Sequence, residues 1–399
     1  MKSKFLKFCL FLYIPFFSFT CSDTKKLSGN EVLIEGKISA VEDGAVMMLF
    51  PSEGGAMMSD TLKNGRFVFK TEAVSNPQKM SLICLSDGYP SAVSLNFWIA
   101  PCKKIKITGK DKLFHLWEVK SSVSRQKEAN LYANKTCNIL REMAKLNLEI
   151  NNLRTKAKGA SLSNEAHAYE STADSLEVIN TSLKTKEVLV NMNIMEKMDI
   201  STIWIDKMSE VSIRVKYAKS DDKYFDELHK KAEALYYRMS EEDKNTPKGY
   251  SITANLFPPT VVEVGDEMAD ANFFDINGNT KSLSDYSGKY MLLDFWSSGC
   301  GPCLMAFPEM KEIFEIYQEN LNIISISLDD DNAWKAAMNI HNTPWINIRD
   351  PKAWGGLAAY YGANGIPYYV IISPDGKVVD KWFGYANGLI KGKVKDNVK

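Results

Sequence analysis

The spacing of apolar and polar residues changes twice along the chain, near residue 119 and near residue 256. Up to residue 119 the apolar runs are short and end in turn residues. Asn64 and Gly65, which tolerate positive φ, separate two such runs, and the segment 104–107 alternates Lys and Ile as a half-buried strand does. This pattern predicts a small antiparallel β-domain over residues 31–119.

Residues 120–256 carry a helical pattern, with apolar side chains recurring every three or four positions. The three stripes are Leu140, Met143, Leu146, Ile150 and Leu153, then Leu176, Ile179 and Leu183, and finally Leu228, Ala232, Leu235 and Met239. Such a stripe docks a partner protein in some molecules, but more often it buries against a neighbouring helix. We therefore expect a helical region with its own core, followed by a stiff linker at Pro258 and Pro259.

Strand and helix patterns alternate from residue 257 to residue 399. The predicted strands are 273–275, 281–283, 290–296, 321–328, 345–348, 368–372 and 377–382, and the predicted helices are 302–319, 334–340 and 357–361. Turn residues at 277–278 and 374–376 join the first and last strand pairs as hairpins. This order predicts an α/β sheet with helices on its faces.

The first twenty residues have the outline of a secretion signal, because Lys2, Lys4 and Lys7 precede the apolar run 8–19. The run is too short to span a bilayer comfortably, and Cys21 stands where a cleavage site belongs. The segment resembles a bacterial lipoprotein signal, which implies a signal peptide 1–20, lipidation of Cys21 and a tether 21–30. Cleavage without lipid and an uncleaved membrane anchor are the alternatives. The resemblance, with Ser22 after the cysteine, implies a periplasm-facing protein of the cell envelope, anchored in the outer membrane.

The charges are balanced, since 49 Lys and Arg accompany 49 Asp and Glu. No overall field therefore attracts the chain to nucleic acid or to an anionic surface, and we expect no nucleic-acid partner. The hydrophobic fraction of 45% is normal for globular domains, so partner choice must depend on local features.

Five of the seven cysteines follow residue 21 and must be explained in an oxidising compartment. Cys84 and Cys102 both belong to the predicted β-domain, where a disulfide and two free thiols are both open. Cys300 and Cys303 lie between a predicted buried strand and a predicted helix N-terminus, where orphan amides and the helix dipole stabilise a thiolate. Zinc is disfavoured because the four His residues are scattered and offer no second ligand pair, so we expect no metal site.

The segment 294–303, Asp-Phe-Trp-Ser-Ser-Gly-Cys-Gly-Pro-Cys, resembles the active-site strand and turn of thioredoxin. Pro308 lies where thioredoxins kink the following helix, and Pro367 precedes an apolar strand as the cis-proline of that fold does. The extra hairpin and the insert before Pro367 are similar to the TlpA-like, AhpC/TSA branch of membrane-tethered thiol-disulfide oxidoreductases. The expected fold class is an α/β thioredoxin-like C-terminal domain, 257–399, preceded by the small antiparallel β-domain and the helical region.

The resemblance implies a role for individual residues. Cys300 is expected to be the attacking thiolate and Cys303 the resolving thiol, with no cofactor beyond this dithiol pair. Pro367 is expected to be cis and to face the cysteines. The residues expected to contact a client are Trp296, Gly301, Pro302 and Ile366. The implied activity is reduction of disulfides in exported client proteins, with electrons from a membrane donor of the DsbD/CcdA type.

Asp294 lies six residues before Cys300 on the same predicted strand. Many TlpA-like reductases have a glutamate three residues after the second cysteine, where this chain has Ala306, whereas thioredoxin has an aspartate at the place of Asp294. A buried carboxyl group has a raised pKa, which suits a general base that deprotonates Cys303. The alternative is a strand-end aspartate that hydrogen-bonds nearby backbone.

Two rival functions are open at this level. A thiol peroxidase of the AhpC/TSA type is expected to carry a Pro-x-x-x-Thr-x-x-Cys loop, but Ser297 stands at the threonine place and no proline has the right spacing. In a tethered client-binding module, the β-domain and the helical region would hold a client and the cysteines would be incidental.

Overall fold

The structure, a computed structural model, describes residues 27–52, 56–85, 94–160, 162–220 and 222–399. The predicted signal peptide 1–20 and Cys21 lie outside the described residues. The chain divides into two compact units, of which the first ends at Lys127 and the second runs from Glu128 to Lys399. None of the helices in the described ranges combines the length and the apolar character that a membrane span requires.

The first unit contains two four-stranded sheets. Its strands are β1 (Glu31–Ile38), β2 (Val46–Pro51), β3 (Met58–Thr61), β4 (Arg66–Glu72), β5 (Gln78–Leu85), β6 (Leu95–Ile99), β7 (Lys103–Gly109) and β8 (Glu118–Lys120). The sheet orders are β4-β1-β7-β8 and β3-β2-β5-β6. Among these described strands all neighbours are antiparallel except β1 and β7. The antiparallel prediction is corrected for this pair, because the long connection through the second sheet brings β7 back in the direction of β1.

The Asn64-Gly65 turn forms where the sequence predicts it. Asn64 has φ 50° and Gly65 has φ 66°, the left-handed conformation that these residue types tolerate. The turn joins β3 to β4, which belong to different sheets. Lys63 and Arg66 exchange two backbone hydrogen bonds of 3.0 Å across the turn, so its tip is a two-residue hairpin, and beyond it β3 and β4 continue into the two different sheets of the first unit.

The helical region follows the β-strands. It comprises α1 (Ser124–Gly159), α2 (Ser163–Met195), α3 (Thr202–Lys216), α4 (Phe225–Tyr236), α5 (Glu241–Lys244) and α6 (Pro247–Leu256). The third predicted stripe is buried throughout, from Leu228 to Met239. The second is partly wrong: Ile179 is 49% exposed, because the buried face of α2 passes through neighbouring positions. These buried positions include Ala173, Asn180 and Val188.

Helix α6 joins the helical region to the last part of the chain. Its N-terminus is capped by the Thr246 hydroxyl, which accepts a hydrogen bond from Gly249 N at 3.0 Å, and Pro247 occupies its first turn. A Cβ atom at Gly355 would lie only 2.2 Å from the backbone carbonyl carbon of Tyr250. The backbone of α6 therefore lies directly against the segment 353–355.

Residues 273–399 form a seven-stranded mixed sheet with packed helices. The elements are β9 (Phe273–Asp275), β10 (Thr280–Lys281), β11 (Tyr290–Trp296), α7 (Gly301–Tyr317), β12 (Leu321–Ser327), α8 (Asp331–His341), β13 (Ile346–Arg349), α9 (Leu357–Tyr360), β14 (Tyr368–Ile372), β15 (Val378–Phe383) and α10 (Leu389–Asn397). The sheet order is β10-β9-β13-β12-β11-β14-β15, with β11, β12 and β13 parallel and both edges antiparallel. The predicted α/β thioredoxin-like class is confirmed, and α10 is an element that the sequence analysis does not predict.

Candidate active site

Strand β11 divides its side chains between two hydrophobic cores. Leu293 and Phe295 belong to the core on one face of the sheet, and Leu292 and Trp296 belong to the other core together with Cys303 of α7. Because side chains alternate along a strand, Asp294 lies on the face of Leu292 and Trp296. The sheet therefore directs the carboxyl group of Asp294 toward the helix that carries Cys303.

The turn between β11 and α7 is held by hydrogen bonds at both ends. Ser298 N donates to Asp329 Oδ2 at 2.6 Å, and Cys300 N donates to Ser297 O at 3.1 Å. Cys300 is the N-cap residue of α7, and its Sγ atom accepts a hydrogen bond from Cys303 N at 3.2 Å. A sulfur in this position receives an amide donor and lies at the positive end of the helix dipole, which favours the thiolate after reduction.

Cys300 and Cys303 form a disulfide in this structure. The two sulfur-bearing residues differ in access to solvent, since Cys300 is half-buried and Cys303 is only 1% exposed. Gly301 and Pro302 between them are exposed. An incoming disulfide can therefore reach Cys300, whereas Cys303 can react only with the sulfur of its neighbour.

The Ile366-Pro367 peptide bond is cis, as the resemblance to thioredoxin implies. Pro367 is buried and its carbonyl oxygen accepts a hydrogen bond from Gly384 N at 2.8 Å. Ile366 is half-buried and packs, like Cys300, against the core that contains Cys303. Ile366, Gly301 and Pro302 thus retain the access that client contact requires.

Trp296 does not fit its predicted role in client contact. Its side chain is fully buried and packs edge to face on Phe307 at 5.3 Å between ring centroids. The reason is strand alternation, which places Trp296 on the covered face that it shares with Asp294. The prediction is corrected: Trp296 is a core residue that packs on α7, the helix that carries Cys303.

Asp294 is 1% exposed, and burial raises its pKa to about 7. The Ser325 hydroxyl opposes this shift by donating a hydrogen bond to Asp294 Oδ2 at 2.8 Å. Asp294 lies within β11, between Leu293 and Phe295. Its hydrogen-bond partner, Ser325, is a side chain of the neighbouring strand β12. The geometry therefore differs from that of a strand-end aspartate bonded to local backbone.

Two further residues belong to this site that the sequence analysis does not predict, Ser325 and Trp345. Trp345 Nε1 donates to Ser325 Oγ at 2.9 Å, so both side chains belong to the hydrogen-bonded group around Asp294. One signal is available for Ser325, because it interrupts the otherwise apolar centre of the predicted strand 321–328. No local signal marks Trp345, whose contact depends on how the strands pair.

Helix α7 also carries the buried residues Ala306 and Glu309. Ala306 is fully buried beside Cys303 in the core and brings no carboxylate to the pair. Glu309 is 5% exposed, and its two carboxylate oxygens accept hydrogen bonds from Gly388 N and Lys391 N, each at 2.9 Å. Glu309 is therefore engaged with the N-terminus of α10.

The remaining described cysteines are Cys84, Cys102 and Cys137, all free thiols. Cys84 is buried and Cys102 is exposed, so the disulfide considered for them is not formed in this structure. Within the described ranges, no group of three or more His, Cys, Asp and Glu side chains has the arrangement of a metal site.

Known proteins resemble the last third of the chain. The AhpC/TSA family model matches residues 264–381. Thiol-disulfide oxidoreductase ResA of Geobacillus thermodenitrificans (strain NG80-2) is 33% identical over 135 residues, which are 33% of this chain and 75% of that protein. ResA of Bacillus thuringiensis subsp. konkukian (strain 97-27) is 30% identical over 123 residues, which are 30% of this chain and 69% of that protein. A crystallised thioredoxin domain of a thiol-disulfide oxidoreductase from Bacteroides vulgatus is 26% identical, covers 34% of this chain and 99% of its own, and has a TM-score of 0.32.

The match to ResA of Geobacillus thermodenitrificans spans three quarters of that protein. The family match includes the segment that carries the redox pair of this chain. A dithiol pair three residues apart at a helix N-terminus is the chemistry that disulfide exchange requires. By this similarity and this site, the chain belongs to the thioredoxin-like AhpC/TSA family of thiol-disulfide oxidoreductases.

Proposed function

We propose that this oxidoreductase reduces disulfides in exported client proteins. The observation that supports the proposal best is the asymmetry of the pair, with a half-buried Cys300 at the helix N-cap and a buried Cys303 behind it. The residues between them are Gly and Pro, as in thioredoxin, whose pair is reducing at roughly −270 mV. This similarity favours electron flow from the dithiol to the client.

The reaction proceeds in two exchanges. The Cys300 thiolate attacks a client disulfide, forms a mixed disulfide and releases one client sulfur as a thiolate that takes a proton from solvent. Asp294 then accepts the proton of Cys303, and the Cys303 thiolate attacks Cys300 and displaces the second client thiolate. Two electrons pass to the client, and the Cys300–Cys303 disulfide remains.

The cellular setting is proposed from the sequence before the described residues. The charged and apolar pattern of residues 2–19 and the position of Cys21 support export and lipid anchorage at the periplasmic side of the cell envelope, and Ser22 after the cysteine favours the outer membrane. An oxidised pair in that compartment requires a fresh supply of two electrons, for which a membrane donor of the DsbD/CcdA type is the expected source. Clients are exported proteins that contain disulfides.

Reduction of insulin disulfides by the complete chain tests the activity. We expect turnover with dithiothreitol as the electron source, loss of turnover in Cys300→Ser, and accumulation of mixed disulfides in Cys303→Ser. Insulin reduction by the unaltered chain at the rate of the Cys300→Ser control would refute the proposal. A hydrogen peroxide reaction far faster than that of an ordinary thiol would instead favour a thiol peroxidase.

Mass spectrometry of the Cys303→Ser adducts identifies the clients. The variant is expressed with its native signal, and the adducts on Cys300 are collected from the cell envelope. Exported proteins with disulfides are the expected adducts. Adducts composed of cytoplasmic proteins would contradict the proposed compartment.

A further inference from the structure

Ser325 and Trp345 form a hydrogen-bonded chain that ends on Asp294. Ser325 lies opposite Asp294 in the register of β11 and β12. Its Oγ atom is 2.8 Å from Asp294 Oδ2 and 2.9 Å from Trp345 Nε1. All three side chains are buried, with exposed fractions of 1% for Asp294, 0% for Ser325 and 7% for Trp345. Because bulk water has little access, these partners decide which charge state of Asp294 is favoured.

The two hydrogen bonds run in one direction, from Trp345 through Ser325 to Asp294. An indole N–H can only donate, so Trp345 occupies a lone pair of the Ser325 oxygen. A serine hydroxyl has a single proton, and Ser325 Oγ donates it to Asp294 Oδ2 at 2.8 Å. Ser325 is thereby held as a donor to Asp294, and a donor stabilises the ionised carboxylate relative to the neutral acid.

We propose that Ser325 and Trp345 are positioning residues that favour the ionised form of Asp294, which can then accept the Cys303 proton during release of the mixed disulfide. This inference rests on the proposed role of Asp294 as the base. In the step concerned, the proton of Cys303 moves to Asp294, and a bond forms between Cys303 and Cys300 sulfurs. The bond from Cys300 to the client breaks, the client sulfur leaves with the bonding electron pair and takes a proton from solvent, and Asp294 later returns its proton to solvent.

The other titratable groups on this face of the sheet do not take over the role of the hydrogen bonds from Trp345 and Ser325. Tyr369 lies opposite Asp294 on β14, and burial, together with the neighbouring carboxylates, raises its pKa, so it remains neutral near pH 7. Glu309 on α7 accepts two backbone hydrogen bonds from α10. In the oxidised chain Cys303 of α7 is disulfide-bonded and does not titrate. Burial raises the pKa of Asp294 and the Ser325 bond lowers it, so removal of the hydroxyl leaves burial unopposed.

The test compares Ser325→Ala with a matched deletion on the same strand. Ser327 is also fully buried and lies on the same face, but its hydroxyl bonds Asp329. In the oxidised complete chain, infrared spectroscopy follows the carbonyl band of the protonated Asp294 against pH, and its absence in Asp294→Asn identifies the band. Single-turnover kinetics on the reduced chain follow release of a model peptide from its mixed disulfide with Cys300 over the same pH range.

Two pH midpoints are compared, that of the infrared titration and that of the release rate. We expect Ser325→Ala to raise both by about one pH unit, because the free energy of a hydrogen bond to a charged group corresponds to a pKa shift of roughly that size. Trp345→Phe, which keeps the aromatic ring, should shift them less and in the same direction. Ser325→Thr, which keeps the hydroxyl, and Ser327→Ala should leave both midpoints within about 0.3 unit of the unaltered chain, a small fraction of that shift.

The outcomes separate this inference from the proposed role of Asp294. An infrared midpoint that does not move in Ser325→Ala, or moves equally in Ser327→Ala, overturns the inference while the base role of Asp294 stands. A release step in Asp294→Asn with the rate and pH profile of the unaltered chain removes Asp294 from the mechanism, and the inference fails with it.

Discussion

Asp294 carries its carboxyl group in the middle of β11, where it is 1% exposed. A carboxylate there loses the water that would stabilise its charge, and one hydroxyl donor compensates for only part of that loss. The same loss places the pKa of Asp294 at about 7, where a base can both accept and release a proton at neutral pH. The chemistry proposed for this residue therefore has a cost in the stability of the fold.

That cost predicts a pH-dependent effect of Asp294→Asn. The unfolded carboxyl group titrates near 3.8 and the folded one at about 7, so the folded state binds more protons between these values. The free energy of unfolding then falls as the pH rises through this window and stays at the lower level above it. Asp294→Asn should remove this fall. The free energy of unfolding of the variant, relative to that of the unaltered chain, should therefore increase by up to about 4 kcal/mol between pH 4 and pH 8. Urea denaturation of the oxidised chain at a series of pH values measures the difference.

The exposed Asp396 of α10 provides the control for that experiment. Asp396→Asn should give a pH dependence close to that of the unaltered chain, because an exposed carboxyl group changes its surroundings little on folding. If the curves of Asp294→Asn and the unaltered chain run parallel from pH 4 to pH 8, Asp294 is not destabilised in its charged form.

The parts of the site that lie close together in the chain are predictable from the sequence. Cys300, Cys303 and Asp294 fall within one strand and turn, and the cis bond before Pro367 follows from the resemblance. Ser325 and Trp345 reach Asp294 only through strand pairing, and no local pattern contains that register. The prediction that Trp296 contacts a client is wrong. Side-chain alternation along the strand places Trp296 on the same buried face as Asp294, so its burial is predictable from the sequence.

Helix and strand limits are predictable where the determinants are local. Strands β11 and β14 begin and end at the predicted residues. Helix α8 begins earlier than predicted, because Asp330 accepts a hydrogen bond from Ala333 N and caps it. Helix α10 escapes prediction: its N-cap is Gly388, which has no side chain to signal a start, and Gly392 interrupts its apolar pattern.

The cap of α10 comes instead from Glu309 of α7, and this contact predicts a difference between two glutamates. Glu309→Gln replaces an oxygen that accepts an amide proton by a group that donates, and it removes a negative charge from the positive end of a helix. We expect a loss of about 1–3 kcal/mol in the free energy of unfolding. Thermal and urea denaturation measure the loss, and hydrogen exchange should show earlier opening of α10.

Glu312 gives a closely matched control. It lies on the same helix and pairs with the side chain of Lys391, a residue whose backbone bonds Glu309, but its own side chain is 59% exposed. Glu312→Gln should change stability by less than about 1 kcal/mol, because exposed ion pairs contribute little. Equal losses in the two variants would show that Glu309 does not act as the cap of α10.

The family match covers residues 264–381, so the helical region lies outside it. The structure nevertheless places the helical region and the thioredoxin-like sheet in a single compact unit, Glu128–Lys399. Part of that union is the contact of α6 with the segment 353–355, between β13 and α9. The periodicity of apolar residues predicts each helix by itself, but a contact between two backbones produces no periodic pattern. The sequence feature that accompanies this contact is Gly355, whose missing side chain lets the two backbones approach.

Gly355→Ala tests whether this contact holds α6 in place. Gly355 does not have a left-handed backbone, so the substitution meets no conformational penalty, and its effect depends on space alone. The new Cβ atom would lie 2.2 Å from Tyr250 C and 2.7 Å from Ser251 N, which are backbone atoms that no side-chain rotation can move away. We expect a loss of about 1–3 kcal/mol in the free energy of unfolding, together with faster amide exchange in α6.

Gly392→Ala in α10 is the control, because no heavy atom outside its own helix and chain neighbours lies within 4 Å of the place that the new methyl group would take. Alanine also favours a helix, so the stability of that variant should stay the same or rise by up to about 1 kcal/mol. If α6 keeps its protection from exchange in Gly355→Ala, another contact holds the helical region against the sheet.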